Sequence, residues 1–364
     1  MANFKIRAVT LHYGLDWTVD VVEDMSFKLL EARDRVSSSL EVSVESVRLT
    51  LASLEGLREA VEASRKISNL DLNGVFVNIG GYRIGGEEDV GRAADVAESG
   101  VFMSILYSGG GWGEARLVSR VFHEAASRSP DYPVHIAFNP SGKGLFTPYY
   151  PLSYAERGRT AVTVALLYPR YLSEAYRSGG IEMVKRAAVE AGRLALKVGE
   201  EVSKALDVGG GVYVDLSVSP WMEETVLGLV EEVAGVRLPE PGFAWGVAEV
   251  NEAILSAAEK LGRYTGFNEV QLPVAEDLKL KLRVAEGETR ARDLLRLAGS
   301  CLAGLDMAVV PSGVDQVAGL VLESVAYTKA KGRVVGLRVI PVDDVEPGDR
   351  VYLERFGEVP VIPV

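Results

Sequence analysis

VESVRLTLASLEGLREAVEASR, Val44 to Arg65, holds one complete structural unit. Its opening, Val44 to Leu51, is rich in β-branched and apolar residues, which is the pattern of a strand. After Leu54 the period changes. Leu57, Ala60, Val61 and Ser64 fall on one side of a helix, with Arg58, Glu59, Glu62 and Arg65 on the other. A helix of this kind belongs on the outside of a sheet.

The same alternation runs outward in both directions. Further strands are predicted over Phe4 to His12, Gly74 to Ile79, Val101 to Tyr107, Val134 to Phe138 and Ala161 to Tyr168, then Val212 to Val218, Glu269 to Pro273, Leu305 to Val310 and Val334 to Pro341. Most are followed by one helical stretch. The longest, Ile181 to Leu206, carries Ala187, Ala188, Ala191, Gly192, Ala195 and Gly199, small residues that permit close packing. Repeated strand-helix units mean an α/β fold with parallel strands and right-handed crossovers. About ten such units, with no Pro/Gly/Ser-rich linker between them, predict a single α/β barrel over residues 1–341. Residues 342–364, with Pro347, Gly348, Gly357 and Pro360, read as an extension of turns and short strands. Two doubly wound domains are the alternative architecture. Asn139 to Arg159 is a long irregular stretch, of a type that is often functional within a domain.

Composition narrows the function classes. The 364 residues are 48% hydrophobic and 25% charged, ordinary globular content. A net charge of -12 and no basic stripe argue against nucleic acid and anionic membranes as partners. No run approaches the roughly 20 apolar residues of a membrane span. The start, MANFKIRAVT, has no signal-like apolar stretch, so the expected compartment is the cytoplasm. A single cysteine, Cys301, excludes an internal disulfide framework and a cysteine-caged zinc within the chain. It lies on the apolar side of a helical pattern with Leu294, Leu297, Ala298 and Leu302, which suits core packing. Few glutamines among abundant Glu, Arg and Val give a balance common in proteins from hot environments.

Several phrases carry a family resemblance: IRAVTL at Ile6 to Leu11, ESVRLTL at Glu45 to Leu51, VDLSVSP at Val214 to Pro220, CLAGLDMAVVP at Cys301 to Pro311 and GLRVIPV at Gly336 to Val342. The tail GDRVYLERFGEVPVIPV adds Gly348, Asp349, Gly357 and Pro360 in matching order. The chain resembles the uncharacterised family known as domain of unknown function 711. That resemblance implies the ten-stranded α/β barrel of pyruvate formate-lyase and other glycyl radical enzymes, and it implies no activity. The C-terminal residues contain no Arg-Val-x-Gly-Tyr radical loop, so glycyl radical chemistry is not expected.

In a parallel barrel, ligands bind beyond the carboxyl ends of the strands. After the fourth strand come Ser108, Gly109, Gly110 and Gly111, a glycine-rich turn into a helix whose N–H groups suit a phosphate or carboxylate. The turn matches neither the P-loop nor the dinucleotide fingerprint. After the fifth strand, Asn139, Ser141, Gly142 and Lys143 bring a cation to what should be the same rim. His12, ending the first strand, is the candidate acid or base. Asp215 and Ser217 share one face of a strand. Asp215 is a candidate catalytic carboxylate, or the partner of Arg7, Arg48 or Arg338 in a buried ion pair that fixes register. Ser312, just past the ninth strand, is a helix cap or a further rim ligand. The three histidines have no metal-ligand spacing, and the sequence leaves any cofactor unknown.

These features support an enzyme acting on a small phosphate- or carboxylate-bearing metabolite at the carboxyl-end rim. The alternatives are a non-catalytic small-molecule-binding or regulatory protein and a structural oligomer subunit. A homodimer is the expected assembly on base rates.

Overall fold

The computed structural model describes residues 3–300 and 303–364, so Cys301 lies outside the described residues. Strands β1 (Lys5–Tyr13), β2 (Val47–Leu51), β3 (Phe76–Tyr82), β4 (Phe102–Leu106), β5 (Ile136–Asn139), β6 (Thr160–Leu167), β7 (Val212–Asp215), β8 (Gly304–Pro311) and β9 (Gly336–Val342) form one nine-stranded sheet in the order β7-β6-β1-β2-β3-β4-β5-β9-β8. A single sheet of this order is not two doubly wound domains. A separate hairpin, β10 (Arg350–Leu353) and β11 (Gly357–Pro360), follows. Outside the sheet, the helix Leu57–Ile67 buries Leu57, Ala60, Val61, Ser64 and Ile67, the side its sequence period marks as apolar. In the helix Ile181–Ala205 the small residues are needed. A Cβ on Gly192 would lie 2.4 Å from the Leu261 side chain, and one on Gly199 2.4 Å from that of Val212.

Two features depart from a uniformly parallel barrel. The first is direction. β1 to β5 are mutually parallel, but β6 pairs with β1 and β9 pairs with β5 antiparallel. Since β7 follows β6 and β8 follows β9 in direction, the sheet is two parallel halves that meet head to tail at two seams. The cause is the stretch between β5 and β6. It has no crossover helix, so the chain leaves and re-enters the sheet at the same end, and the next strand must run backwards.

The second departure is the expected strand Glu269 to Pro273. It forms no ladder, only single parallel bridges, Val218↔Val270 on one side and Pro273↔Asp306 on the other. The edges of the nine-stranded sheet therefore both bond to this one segment. Its regularity is lost because side chains take its amides. Phe267 N and Asn268 N donate to Asp215 at 2.9 and 3.0 Å, and Glu269 N donates to Ser217 Oγ at 3.2 Å.

The sheet's two faces differ in chemistry. Val9, Leu11, Leu49, Leu51, Val77 and Ile79 belong to the large apolar core beneath the helices. Thr10, Thr50 and Asn78 alternate with them, buried and polar. They face the irregular loop after β5, which lies inside the curl of the sheet. Thr10 Oγ1 and Arg48 Nη1 donate to Pro148 O at 3.4 and 2.8 Å, and Asn78 Nδ2 donates to Pro151 O at 2.8 Å. From the far wall, Asp215 accepts from Thr147 Oγ1 at 3.1 Å, and Ser217 O accepts from Tyr149 OH at 3.3 Å. The middle of this loop, residues 147–155, is largely buried without secondary structure and must find partners for its backbone, and the polar inner face of the strands supplies them.

Candidate functional site

The residues marked by sequence divide among four places. His12, Gly142 and Lys143 line a cavity of about 510 Å³ at the carboxyl ends of β1 to β5, with Arg83, Phe146, Tyr154 and Arg159. His12 is buried at its floor with both ring nitrogens engaged. Nδ1 lies 2.8 Å from Tyr154 O, and Nε2 lies 2.8 Å from Thr163 Oγ1. The carbonyl fixes the proton on Nδ1, so Nε2 accepts from the threonine and neither nitrogen is left for a substrate. Burial, reinforced by the charge of Arg159 and offset in part by the Tyr154 bond, pushes its pKa down to about 3.

The glycine turn carries its own anion. Glu114, buried in the first turn of the helix Gly111–Arg128, accepts from Ser108 N at 2.6 Å and Gly110 N at 2.7 Å. Gly111 N donates to Tyr107 OH at 3.3 Å. Ser108, Gly109 and Gly110 are exposed, and none of them lines the cavity that holds Lys143. Asn139 braces the next turn, accepting from Ser141 N at 3.1 Å and donating to Lys143 O at 2.9 Å. The Lys143 side chain is exposed and makes no ion pair among the described residues.

Asp215 is the centre of a knot. Ser217 Oγ, Ser217 N and Asn268 N donate to Oδ1, and Thr147 Oγ1 and Phe267 N donate to Oδ2. Burial raises its pKa against these bonds. No arginine pairs with it among the described residues; its bonds join β7, the interior loop and the bridging segment. Ser312 follows β8, whose carboxyl end points away from those of β1 to β5. The expectation of one rim shared by Ser312 and Lys143 therefore fails, because half of the sheet is reversed.

At the opposite end of β1 to β5 lies a second cavity, of about 310 Å³, where sequence reasoning placed only structural ion pairs. Arg7 from β1, Arg48 from β2 and Arg338 from β9 point into it, with Arg355 from the turn between β10 and β11. The carboxylates there are Glu276 and Asp306, with Glu45 at the edge bonded to Lys5 at 2.9 Å. Arg338 holds Asp306 through Nε at 2.6 Å and Nη2 at 3.0 Å, and reaches Glu276 at 3.4 Å. Arg7 pairs with the other oxygen of Glu276 and donates to Pro220 O at 2.5 Å. These four groups balance one another.

Arg48 and Arg355 are left over. Arg48 donates to Pro148 O at 2.8 Å, its buried Nε has no partner, and no carboxylate pairs with it among the described residues. Burial first, and then the charge of Arg7, lower its pKa to about 10. Its guanidinium lies 5.2 Å from the Tyr150 ring, and that of Arg355 lies 4.7 Å from the Phe76 ring. Arg355 is exposed and also without a carboxylate partner among the described residues; burial of part of its side chain lowers its pKa. The cavity thus combines an apolar lining of Ala137, Leu152 and Phe267 with surplus positive charge. Arginines inside predicted strands were its signal in the sequence. Glu276, Asp306 and Arg355 gave none.

Among the described residues, no three His, Cys, Asp or Glu side chains are grouped as metal ligands. No helix among them is long and apolar enough to cross a membrane.

Comparison with known proteins places the chain. The family described as Uncharacterised ACR (DUF711) matches residues 133–354. A UPF0210 protein of Pyrobaculum arsenaticum is 28% identical over 99% of this chain and 90% of its own length. One from Pyrobaculum aerophilum is 27% identical over 100% and 90%, and one from Methanopyrus kandleri is 31% identical over 50% and 41%. Among solved structures, the anaerobic ribonucleotide reductase from Thermotoga maritima with MES in the active site aligns with 86% of this chain and 69% of that chain, at 11% identity and a TM-score of 0.40. With its conserved-family match covering more than half of the chain, the protein belongs to the uncharacterised DUF711 family.

Proposed function

We propose that this protein binds a small organic anion in the arginine-lined cavity. The observation that carries this reading is Arg48, a half-buried guanidinium lining the cavity with one backbone carbonyl as its hydrogen-bond partner. An uncompensated cation is costly inside a protein. A carboxylate or phosphate against it forms charge-assisted hydrogen bonds, the fork geometry that arginine suits. The volume, about 310 Å³, lies in the range of small-molecule sites, and the apolar interior accommodates the uncharged part of the ligand.

Isothermal calorimetry against a panel of carboxylates and phosphate esters, with wild type and Arg48→Met, tests the reading. A ligand that binds wild type and loses about 10- to 100-fold in Arg48→Met supports it, since a hydrogen bond to a charged group contributes about 1.5–3 kcal/mol. Equal binding to both proteins, or no binding across the panel, defeats it.

A second reading keeps the anion at the carboxyl ends of β1 to β5. It is supported by Lys143 and Arg83, which share a cavity of about 510 Å³ and make no ion pairs among the described residues. Lys143→Ala separates the two: it abolishes binding under this reading and leaves it unchanged under the first.

A further inference from the structure

Resting on the first reading above, we infer that the ligand of the arginine-lined cavity is a dicarboxylate with an apolar spacer, one end met by Arg48 inside the cavity and the other by Arg355 at its mouth. The charge balance sets the number. Four guanidiniums line the cavity, Glu276 and Asp306 neutralise Arg7 and Arg338, and Lys5 neutralises Glu45. Two positive charges remain, on two different side chains.

The surface between those charges sets the spacer. Arg355 lies over Phe76, Phe76 meets Phe102 at 5.9 Å between ring centroids, Phe102 meets Tyr150 at 5.2 Å, and Arg48 lies over Tyr150. Three aromatic rings in series thus connect the two cations. These rings offer no donor between the ends apart from the Tyr150 hydroxyl, which donates to Phe76 O at 3.5 Å and accepts from Thr50 Oγ1 at 3.0 Å. An apolar chain or ring along the wall loses no hydrogen bonds to water, and its burial is favourable. A ligand with its charges adjacent, such as a phosphate monoester, satisfies one cation and leaves the other unmatched.

Arg355 is positioned, although exposed. Its hairpin turn is tied on both sides, by Glu354 N donating to Asp131 Oδ1 at 2.9 Å and Lys281 Nζ donating to Phe356 O at 2.5 Å. Phe356 packs on Trp221 with ring centroids 5.9 Å apart. A cation on an anchored turn recognises a charge at a set distance, so affinity is expected to peak at one spacer length.

The test is calorimetry with α,ω-dicarboxylates from succinate to sebacate, the monocarboxylates of equal carbon number, and phenyl phosphate, on wild type, Arg355→Met and Arg48→Met. The expected result is one dicarboxylate at least tenfold tighter than its monocarboxylate partner in wild type. That advantage falls to within about twofold in Arg355→Met, while both ligands weaken in Arg48→Met. Because Arg355 is exposed, its variant is expected to fold, and circular dichroism of the same samples checks this. Arg48→Lys, which keeps the charge, is expected to retain part of the dicarboxylate advantage and guards against misfolding of the methionine variant. Monocarboxylates binding as tightly as dicarboxylates would overturn the inference and leave an anion site standing. Phenyl phosphate binding tightest, with no loss in Arg355→Met, would overturn it in the same way. No binding of any of these ligands would remove both.

Discussion

Arg338 and Asp306, on adjacent strands, face each other inside the arginine-lined cavity with two parallel hydrogen bonds, Nε to Oδ1 at 2.6 Å and Nη2 to Oδ2 at 3.0 Å. The guanidinium is 7% exposed and the carboxylate 35%, so the pair is asymmetric. The cation depends on fixed partners, whereas the anion retains access to solvent. Arg338 completes its set with Glu276 and Val134 O.

Glu276 is accordingly the more consequential carboxylate. It is the shared partner of Arg7 and Arg338 and is itself buried. Glu276→Gln removes the charge from between a buried cation, Arg338, and a largely buried one, Arg7, and is expected to destabilise the fold by about 3–5 kcal/mol, the range for a broken buried pair. Asp306→Asn is expected to cost less. Urea unfolding of the two variants checks the order, and equal midpoints would count against it.

Arg48→Met should behave in the opposite sense without ligand. The substitution removes an unneutralised cation and replaces it with an apolar chain of comparable reach. The melting temperature of the ligand-free variant is expected to equal or exceed that of wild type. A fall of several degrees would mean that the bond to Pro148 O outweighs the desolvation of the charge.

Gly266 holds the knot around Asp215 together. Its φ of +76° is a left-handed conformation, and a Cβ there would lie 2.0 Å from Asp215 Oδ2 and 2.8 Å from Thr147 Oγ1. Gly266→Ala is expected to destabilise by more than about 2 kcal/mol, since strain adds to the loss of buried hydrogen bonds. Thermal unfolding measures it, and a change below about 0.5 kcal/mol would show that the knot has room to adjust.

His12 gives the fold an acid sensitivity. Its pKa of about 3 when folded, against 6.5 unfolded, means that the unfolded chain takes up the proton first as pH falls. The stability it contributes is complete above 6.5 and declines toward pH 3 by about 1.4 kcal/mol per pH unit. Between pH 7 and pH 5, wild type is expected to lose about 2 kcal/mol more than His12→Asn in urea unfolding. Parallel pH profiles would remove His12 as the cause.

Much of the strand layout was legible because β-branched runs mark strands locally. Val44 to Leu51 contains the laddered Val47–Leu51, and Leu305 to Val310 lies within Gly304–Pro311. Val134 and His135 instead belong to a 3-10 turn, shaped by Pro133. The reversal of half the sheet was less visible, although its sign was present in the absence of any helical period between Asn139 and Arg159. The glycine turn misleads because its anion, Glu114, stands only four residues beyond Gly110. The arginine cavity was legible only in its arginines, for another reason. Arg7 and Glu276 are 269 positions apart, and nothing local to either records the other.

The loop inside the sheet also bears on how the protein arises. Thr10, Thr50 and Asn78 from one half, and Asp215 and Ser217 from the other, all bond to that one loop or to the segment beside it. Neither half alone is a self-sufficient module, since separation would strand buried polar groups on its inner face. Residues 264–274 bridge the two edges through contacts between positions far apart in sequence, the kind of contact that slows folding. The loop is thus a shared strut, bonded to both halves of the sheet at once.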